Sequence, residues 1–271
     1  MNRYGFVAAL CGVAVLAACD SLKSNTGLQQ ITSPPASSRV KFHNFSPKAV
    51  GVNFYANGVK MTAIANSACT APATAADSTA CTTTGEESTT GTTYGQVASG
   101  GLYDAIAPGQ YTLTAVTAGG STVVSTATQA IADGKSYSFF MSGPYNTTAN
   151  TADAFVVEDD IPTTVEDSVG YMRLVNAISD GSDALTLYAT NTETKVESAV
   201  GSSVAYKAAG TFEKLTAGTY TLAVRYPGST SNVFARTSAV SVLGGHVYTV
   251  TAYGSTATTS TLGLDFTENQ R

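Results

Sequence analysis

Ala107-Pro108-Gly109-Gln110-Tyr111-Thr112-Leu113 returns later in the chain as Thr216-Ala217-Gly218-Thr219-Tyr220-Thr221-Leu222, and this echo decides the reading of the fold. In both places a turn glycine is followed by alternating Tyr and Leu, the period-2 pattern of a half-buried strand. The likeness extends upstream, where Gly101 to Thr114 faces Gly210 to Ala223 position by position. A tyrosine two residues after such a glycine can bury its ring and turn its hydroxyl back on the preceding loop. Tyr111 and Tyr220 are therefore expected to be structural tyrosines.

Two further landmarks repeat in the same order. Arg-Val-Lys-Phe-His-Asn (39–44) aligns with Tyr-Met-Arg-Leu-Val-Asn (171–176), which pairs Lys41 with Arg173 and Phe42 with Leu174. Gly134, Tyr137 and Gly143 align with Gly245, Tyr248 and Gly254. Self-similarity at three ordered landmarks is the signature of an internal duplication. Val50, Val52 and Phe54 alternate with small or polar residues before Asn57-Gly58, the strongest short hairpin signal. Turn dipeptides such as Gly119-Gly120, Asp133-Gly134 and Gly244-Gly245 punctuate the other runs, and no sustained helical period follows residue 37. The chain is expected to be all-β, with two tandem immunoglobulin-like β-sandwich domains, 38–160 and 169–271.

The first copy carries an insertion, 65–93, rich in Ala, Ser and Thr and poor in large apolar residues, which reads as a surface loop. Cys69 and Cys81 lie in it and are expected to form a disulfide, which would stabilise by roughly 3 kcal/mol on the chain-entropy model. Between the copies, 161–168 is an acidic linker that continues the run Glu158-Asp159-Asp160 and ends on Glu166-Asp167. Those first three carboxylates are the best candidates for calcium, which takes six to eight oxygens. The alternative is a solvated linker that sets the angle between the domains.

The start of the chain has its own logic. Residues 1–18 combine Arg3, an apolar run from Phe6 to Val15 and the small residues Ala17-Ala18, the three zones of an export signal. Leu16-Ala17-Ala18-Cys19 resembles the lipobox of bacterial lipoproteins, which implies lipidation of Cys19 and anchoring in a membrane of the bacterial cell envelope. Two or three acyl chains would make that anchor stable. Residues 19–37, with Pro34-Pro35, read as a flexible tether from lipid to first domain.

The quoted runs Arg-Val-Lys-Phe-His-Asn-Phe-Ser-Pro, Val-Asn-Phe-Tyr-Ala-Asn-Gly, Ala-Pro-Gly-Gln-Tyr-Thr-Leu and Gly-Lys-Ser-Tyr-Ser resemble the domain of unknown function family numbered 4397. The resemblance covers about Ser38–Asp160 and Val169–Glu268. It implies an immunoglobulin-like sandwich on an exported bacterial protein and carries no catalytic residues. The second copy departs from the pattern where Ser179-Asp180 replaces Ser-Pro and Thr190-Asn191 replaces the Asn-Gly turn, which puts its hairpin geometry in question.

Composition narrows the function classes. A formal net charge of −5 with 14 basic residues offers no basic patch for nucleic acid. The two histidines, His43 and His246, fall at non-equivalent repeat positions, and no Gly-x-Ser-x-Gly elbow or phosphate-cradling loop occurs. The expectation is a protein that is not an enzyme and needs no cofactor, a binding or structural scaffold whose partner is an envelope protein or glycan. The alternatives are a glycan- or calcium-dependent adhesion module and a hydrolase with an unrecognised site. With 14 Tyr and no Trp, a binding surface would draw on tyrosines outside the matched positions: Tyr94, Tyr103, Tyr145, Tyr206, Tyr226 and Tyr253.

Overall fold

The computed structural model describes residues 38–62, 90–181 and 183–270. The signal 1–18, Cys19, the tether, Cys69, Cys81 and nearly all of the 65–93 insertion lie outside the described residues. No α-helix occurs among the described residues, and none therefore is long and apolar enough to cross a membrane.

The chain is all-β. Its first half contributes β1 (Arg39–Asn44), β2 (Val52–Ala56), β3 (Val59–Lys60), β4 (Gln96–Val97), β5 (Asp104–Ala105), β6 (Gly109–Thr117), β7 (Val123–Ile131), β8 (Ser136–Asn146) and β9 (Thr151–Glu158). Its second half contributes β10 (Val169–Asn176), β11 (Leu185–Asn191), β12 (Glu197–Val204), β13 (Glu213–Thr216), β14 (Gly218–Arg225), β15 (Phe234–Ala235), β16 (Val240–Val242), β17 (Val247–Ser255) and β18 (Thr258–Gln270). In the first half, a sheet of order β4-β1-β8-β9, with β5 also on β1, faces one of order β3-β2-β6-β7. In the second, β13-β10-β17-β18 faces β12-β11-β14-β15, with β16 also on β14.

The register shows the echo most directly. β1 runs parallel to β8 with Val40 opposite Tyr137 and Phe42 opposite Phe139. β10 runs parallel to β17 with Met172 opposite Tyr248 and Leu174 opposite Val250, the aligned residues of the second copy. Tyr55 meets Thr114 as Tyr188 meets Ala223. Tyr137 meets Glu158 as Tyr248 meets Glu268. A slip of one residue would send each strand's apolar set to the wrong face, so equal registers mean that both halves bury the same face.

Each half has its own core between its two sheets. Val40, Phe42, Phe54, Leu113 and Phe139 fill the first, and Met172, Leu174, Leu187, Leu222 and Val250 the second. By contacts, however, Ala36–Arg271 is a single compact unit. The two cores belong to one body.

The repeated landmarks now have physical causes. Gly143 and Gly254 sit at the bulges of β8 and β17 with φ of 69° and 109°, a region that L side chains rarely enter. A Cβ on Gly254 would stand 2.3 Å from the Thr261 carbonyl oxygen. Tyr220 behaves as expected, its hydroxyl donating to the Thr216 carbonyl at 2.8 Å. Tyr111, half-buried, makes no such bond. The matched pair that does is Tyr137 and Tyr248, whose hydroxyls accept from the Ala132 and Leu243 amides, each at 3.2 Å. Replacing either with phenylalanine strands a backbone N–H and is expected to cost about 1 kcal/mol, read as a lower midpoint in chemical denaturation with an unchanged slope.

The hairpin signal also held where it was present. Asn57 and Gly58 adopt φ of 48° and 79°, the two positive values that a type I′ turn requires. In the second copy the turn lacks that dipeptide and is longer. The Asn191 side chain instead accepts from the Glu193 and Thr194 amides, and Lys195 takes the positive φ.

Candidate functional site

In β1, Val40 and Phe42 point into the first core, so alternation sends Lys41 and His43 to the opposite face. In an isolated sandwich that face meets water. Here Lys41 is 1% and His43 2% exposed. The aligned residues of β10, Arg173 and Val175, are 2% and 0% exposed. Both strands are buried on both faces because the two β1- and β10-containing sheets cover one another. A third apolar cluster confirms this, joining Phe45, Phe140 and Phe155 of the first half to Val175 and Ala177 of the second. Tyr206 and Tyr253 pack on its margin, and Tyr253 stacks on Phe45 with ring centroids 4.3 Å apart.

The polar contacts across this seam are reciprocal. Lys41 Nζ donates to the Glu268 carbonyl at 2.9 Å, and Arg173 Nη1 donates to the Glu158 carbonyl at 3.2 Å. Lys41 and Arg173 are aligned repeat positions, and so are Glu158 and Glu268. Lys41 lies over the Tyr103 ring at 4.3 Å, and Arg173 over the ring of Phe212, the aligned residue, at 4.6 Å. The halves therefore meet as two subunits of an isologous dimer do, related by an approximate twofold axis.

Symmetry fails at one pair, and there the chemistry concentrates. Asp159 follows Glu158 in the first half; Asn269 follows Glu268 in the second. Asp159 is buried and forms an ion pair with Arg173, while its Oδ2 accepts from Tyr103 Oη and Ser138 Oγ, both at 2.7 Å. Tyr103 Oη in turn accepts from Asn269 Nδ2 at 2.8 Å. Burial, then the neighbouring Asp159 charge, pushes the Tyr103 hydroxyl far above its ordinary range. No carboxylate pairs with Lys41, and burial pulls its ammonium down to about 8. Burial also raises Asp265, whose carboxylate accepts from Thr267 Oγ1.

His43 is stacked on Phe140 at 4.3 Å and tilted against Phe45 at 5.2 Å, with neither ring nitrogen hydrogen-bonded. Burial, followed by the Lys41 and Arg173 charges, holds its pKa well below 6.5. Below pH 6.5 the unfolded chain binds a proton that the folded chain refuses, so stability falls as pH drops. His43→Val, which copies Val175, is expected to remove a slope of about 1.4 kcal/mol per pH unit below 6.5. Urea denaturation of both chains from pH 7 down to pH 5 measures the difference.

The seam is flanked by two clefts at equivalent places. The larger, about 1130 Å³, lies between 96–105 and the end of β18. The smaller, about 530 Å³, lies between 209–212 and the segment after β9, with Arg173 in its wall.

The residues singled out by sequence are distributed as follows. Cys19, Cys69 and Cys81 lie outside the described residues. The three acidic candidates diverge: Glu158 reaches Lys135 at 2.7 Å, Asp160 stands 3.9 Å from the same lysine with its side chain in solvent, and Asp159 turns inward to Arg173. Among the described residues no three His, Cys, Asp or Glu side chains are grouped to hold a metal ion. His43 and His246 are in different halves, and His246 Nδ1 contacts Glu268 Oε1 at 2.6 Å. Of the tyrosines outside the core scheme, Tyr103, Tyr206 and Tyr253 all stand at the seam. The signal that marks it is the pair Lys41 and Arg173, cations at one repeat position inside strands that are otherwise apolar.

No family model matches the chain, and no curated protein matches it. Among solved structures the chain is similar to the Bacillus anthracis TIE protein, with a TM-score of 0.24 and 12% identity over 80% of this chain and 34% of that one.

Proposed function

We propose that this chain is a lipid-anchored protein of the bacterial envelope, carrying tandem copies of the domain of unknown function 4397 family, and that it serves as a rigid, non-enzymatic scaffold for an envelope partner. The observation that supports this is the seam. Interfaces between domains of one chain are ordinarily polar enough to permit relative motion. Burying a lysine, an arginine and an aspartate together with three phenylalanines gives the repeats one fixed arrangement, because an opened seam would leave the apolar cluster in water. A stiff body on a tether holds whatever it binds at a set orientation near the membrane. Lipid on Cys19 would supply the anchor, and a disulfide between Cys69 and Cys81 would close the insertion loop.

Two measurements test the reading. Cys19→Ser in the producing cell is expected to abolish acyl labelling and move the protein out of the membrane fraction. An acyl-labelled, membrane-bound Cys19→Ser product would refute the anchor. Turnover of hydrolase substrates by the purified mature chain would refute the non-enzymatic part.

A further inference from the structure

The larger cleft contains an unfilled hydrogen-bonding demand that the smaller one does not. Asn269, 7% exposed, lines it, and its Oδ1 has no partner. At the aligned place beside the smaller cleft, both carboxylate oxygens of Asp159 are bonded. A buried acceptor without a donor costs about 1–3 kcal/mol, so the cleft asks for an N–H or O–H group. On the facing wall Arg39 spends Nε on Ser136 Oγ at 2.7 Å and rests over the Tyr103 ring at 4.6 Å. Its two terminal nitrogens have no acceptor among the described residues. An occupant must therefore donate to Asn269 and accept from Arg39.

The charges of the lining select further. Arg39 opposes Asp265 and Glu268 across the same space, so a polyanion meets carboxylates and a polycation meets a guanidinium. An uncharged ligand whose groups both donate and accept satisfies all of them, and the hydroxyl is that group. Leu102, 70% exposed, and Phe266 add apolar surface for the C–H faces of a sugar ring. An extended peptide adding to the open edge of β18 is the main rival. It is disfavoured because the Leu264 and Glu268 carbonyls on that strand already accept from Arg236 Nη1 and Lys41 Nζ, which interrupts the ladder such a strand would need.

We propose that the cleft between 96–105 and the end of β18 is a binding site for a neutral, hydroxyl-rich oligosaccharide, with Asn269 Oδ1 as the acceptor and Arg39 as the donor. The site goes beyond the scaffold reading and does not depend on the anchor, so a Cys19→Ser chain released from the membrane should bind equally.

The test is calorimetric titration and saturation-transfer NMR of the full mature chain. The probes are neutral hexose and N-acetylhexosamine oligosaccharides, an acidic oligosaccharide set and a set of extended peptides. Binding of a neutral oligosaccharide is expected, weakened about tenfold by Asn269→Leu and by Arg39→Gln, each a loss of one or two hydrogen bonds. Thr211→Ala, in the smaller cleft, should leave the affinity unchanged, and the melting temperatures of Arg39→Gln and the parent should agree within the error of the measurement. The proposal is overturned if no neutral oligosaccharide binds, if only acidic sugars or peptides bind, or if binding survives both Asn269→Leu and Arg39→Gln.

Discussion

Arg173→Met is expected to lower the unfolding free energy by about 3–5 kcal/mol, the usual consequence of removing one partner from a buried ion pair. The chain keeps Asp159 in a site it cannot leave, with two hydroxyl donors and no counter-charge. Arg173 also does more than neutralise. Its Nε donates to Thr249 Oγ1 at 3.1 Å, Nη1 to the Glu158 carbonyl and Nη2 to Asp159, so one planar group joins β10, β17 and β9 across the seam. Lysine cannot reproduce that fork. The aligned Lys41 shows what lysine does in this setting: its ammonium reaches one carbonyl, and no carboxylate pairs with it. Arg173→Lys should therefore recover less than half of the loss. Arg173→Met combined with Asp159→Leu should recover most of it, because the cost lies in the uncompensated charge. Equilibrium denaturation of the four chains at pH 7 gives the comparison. A loss in Arg173→Met that the double variant does not restore would show that packing, not charge, governs the seam.

The all-β class and the repeat were legible in sequence because their marks are local. A turn glycine, a bulge glycine and a tyrosine whose hydroxyl bonds a few residues back are each specified within a short segment, and each occurs twice. The seam was not legible for a related reason. Period-2 alternation says which residues share a face and not what covers that face, so Lys41, His43 and Arg173 read as the wet side of a strand. Only the third layer of contacts buries them. The acidic run misled in the same way. Glu158 is the last residue of β9, and the Asp159 amide bonds the Ser136 carbonyl, which extends the strand path and turns the Asp159 side chain inward while Asp160 faces water. A charge run treated as one solvated unit conceals an inside position among its members. The candidate cleft was still less accessible, since Asn269 and Arg39 stand at opposite ends of the described chain. The tyrosines outside the repeat scheme were a partial pointer, because a large amphipathic ring with no equivalent in the other copy suits a surface at which the copies differ.

Phe140→Ala carries the other large effect, and where it falls distinguishes a seam from a core. Phe140 is fully buried, stacked between His43 at 4.3 Å and Phe155 at 5.0 Å, and it belongs to the cluster that both halves share. Truncating a buried phenylalanine costs about 3–5 kcal/mol. The adjacent Phe139 is a matched control. It is equally buried and packs on Phe42 and Phe54 inside the first core, on the other face of the same strand. The two variants should lose similar stability and lose it in different places. Phe139→Ala should speed amide exchange mainly within β1, β2, β6 and β8, the strands around its cavity. Phe140→Ala should also speed exchange in β10 and β17, because Val175 and Ala177 lose the surface they pack on, and the second half offers only Thr251 at the position aligned with Phe140. Thr251 cannot fill the gap: its hydroxyl is already buried without a partner. Hydrogen-exchange mass spectrometry at matched stability separates the outcomes. If Phe140→Ala leaves β10 and β17 as protected as in Phe139→Ala, the repeats are mechanically independent and the rigid-scaffold proposal fails. If protection falls on both sides of the seam together, the aromatic cluster couples them, and a single residue of one repeat sets the local stability of the other.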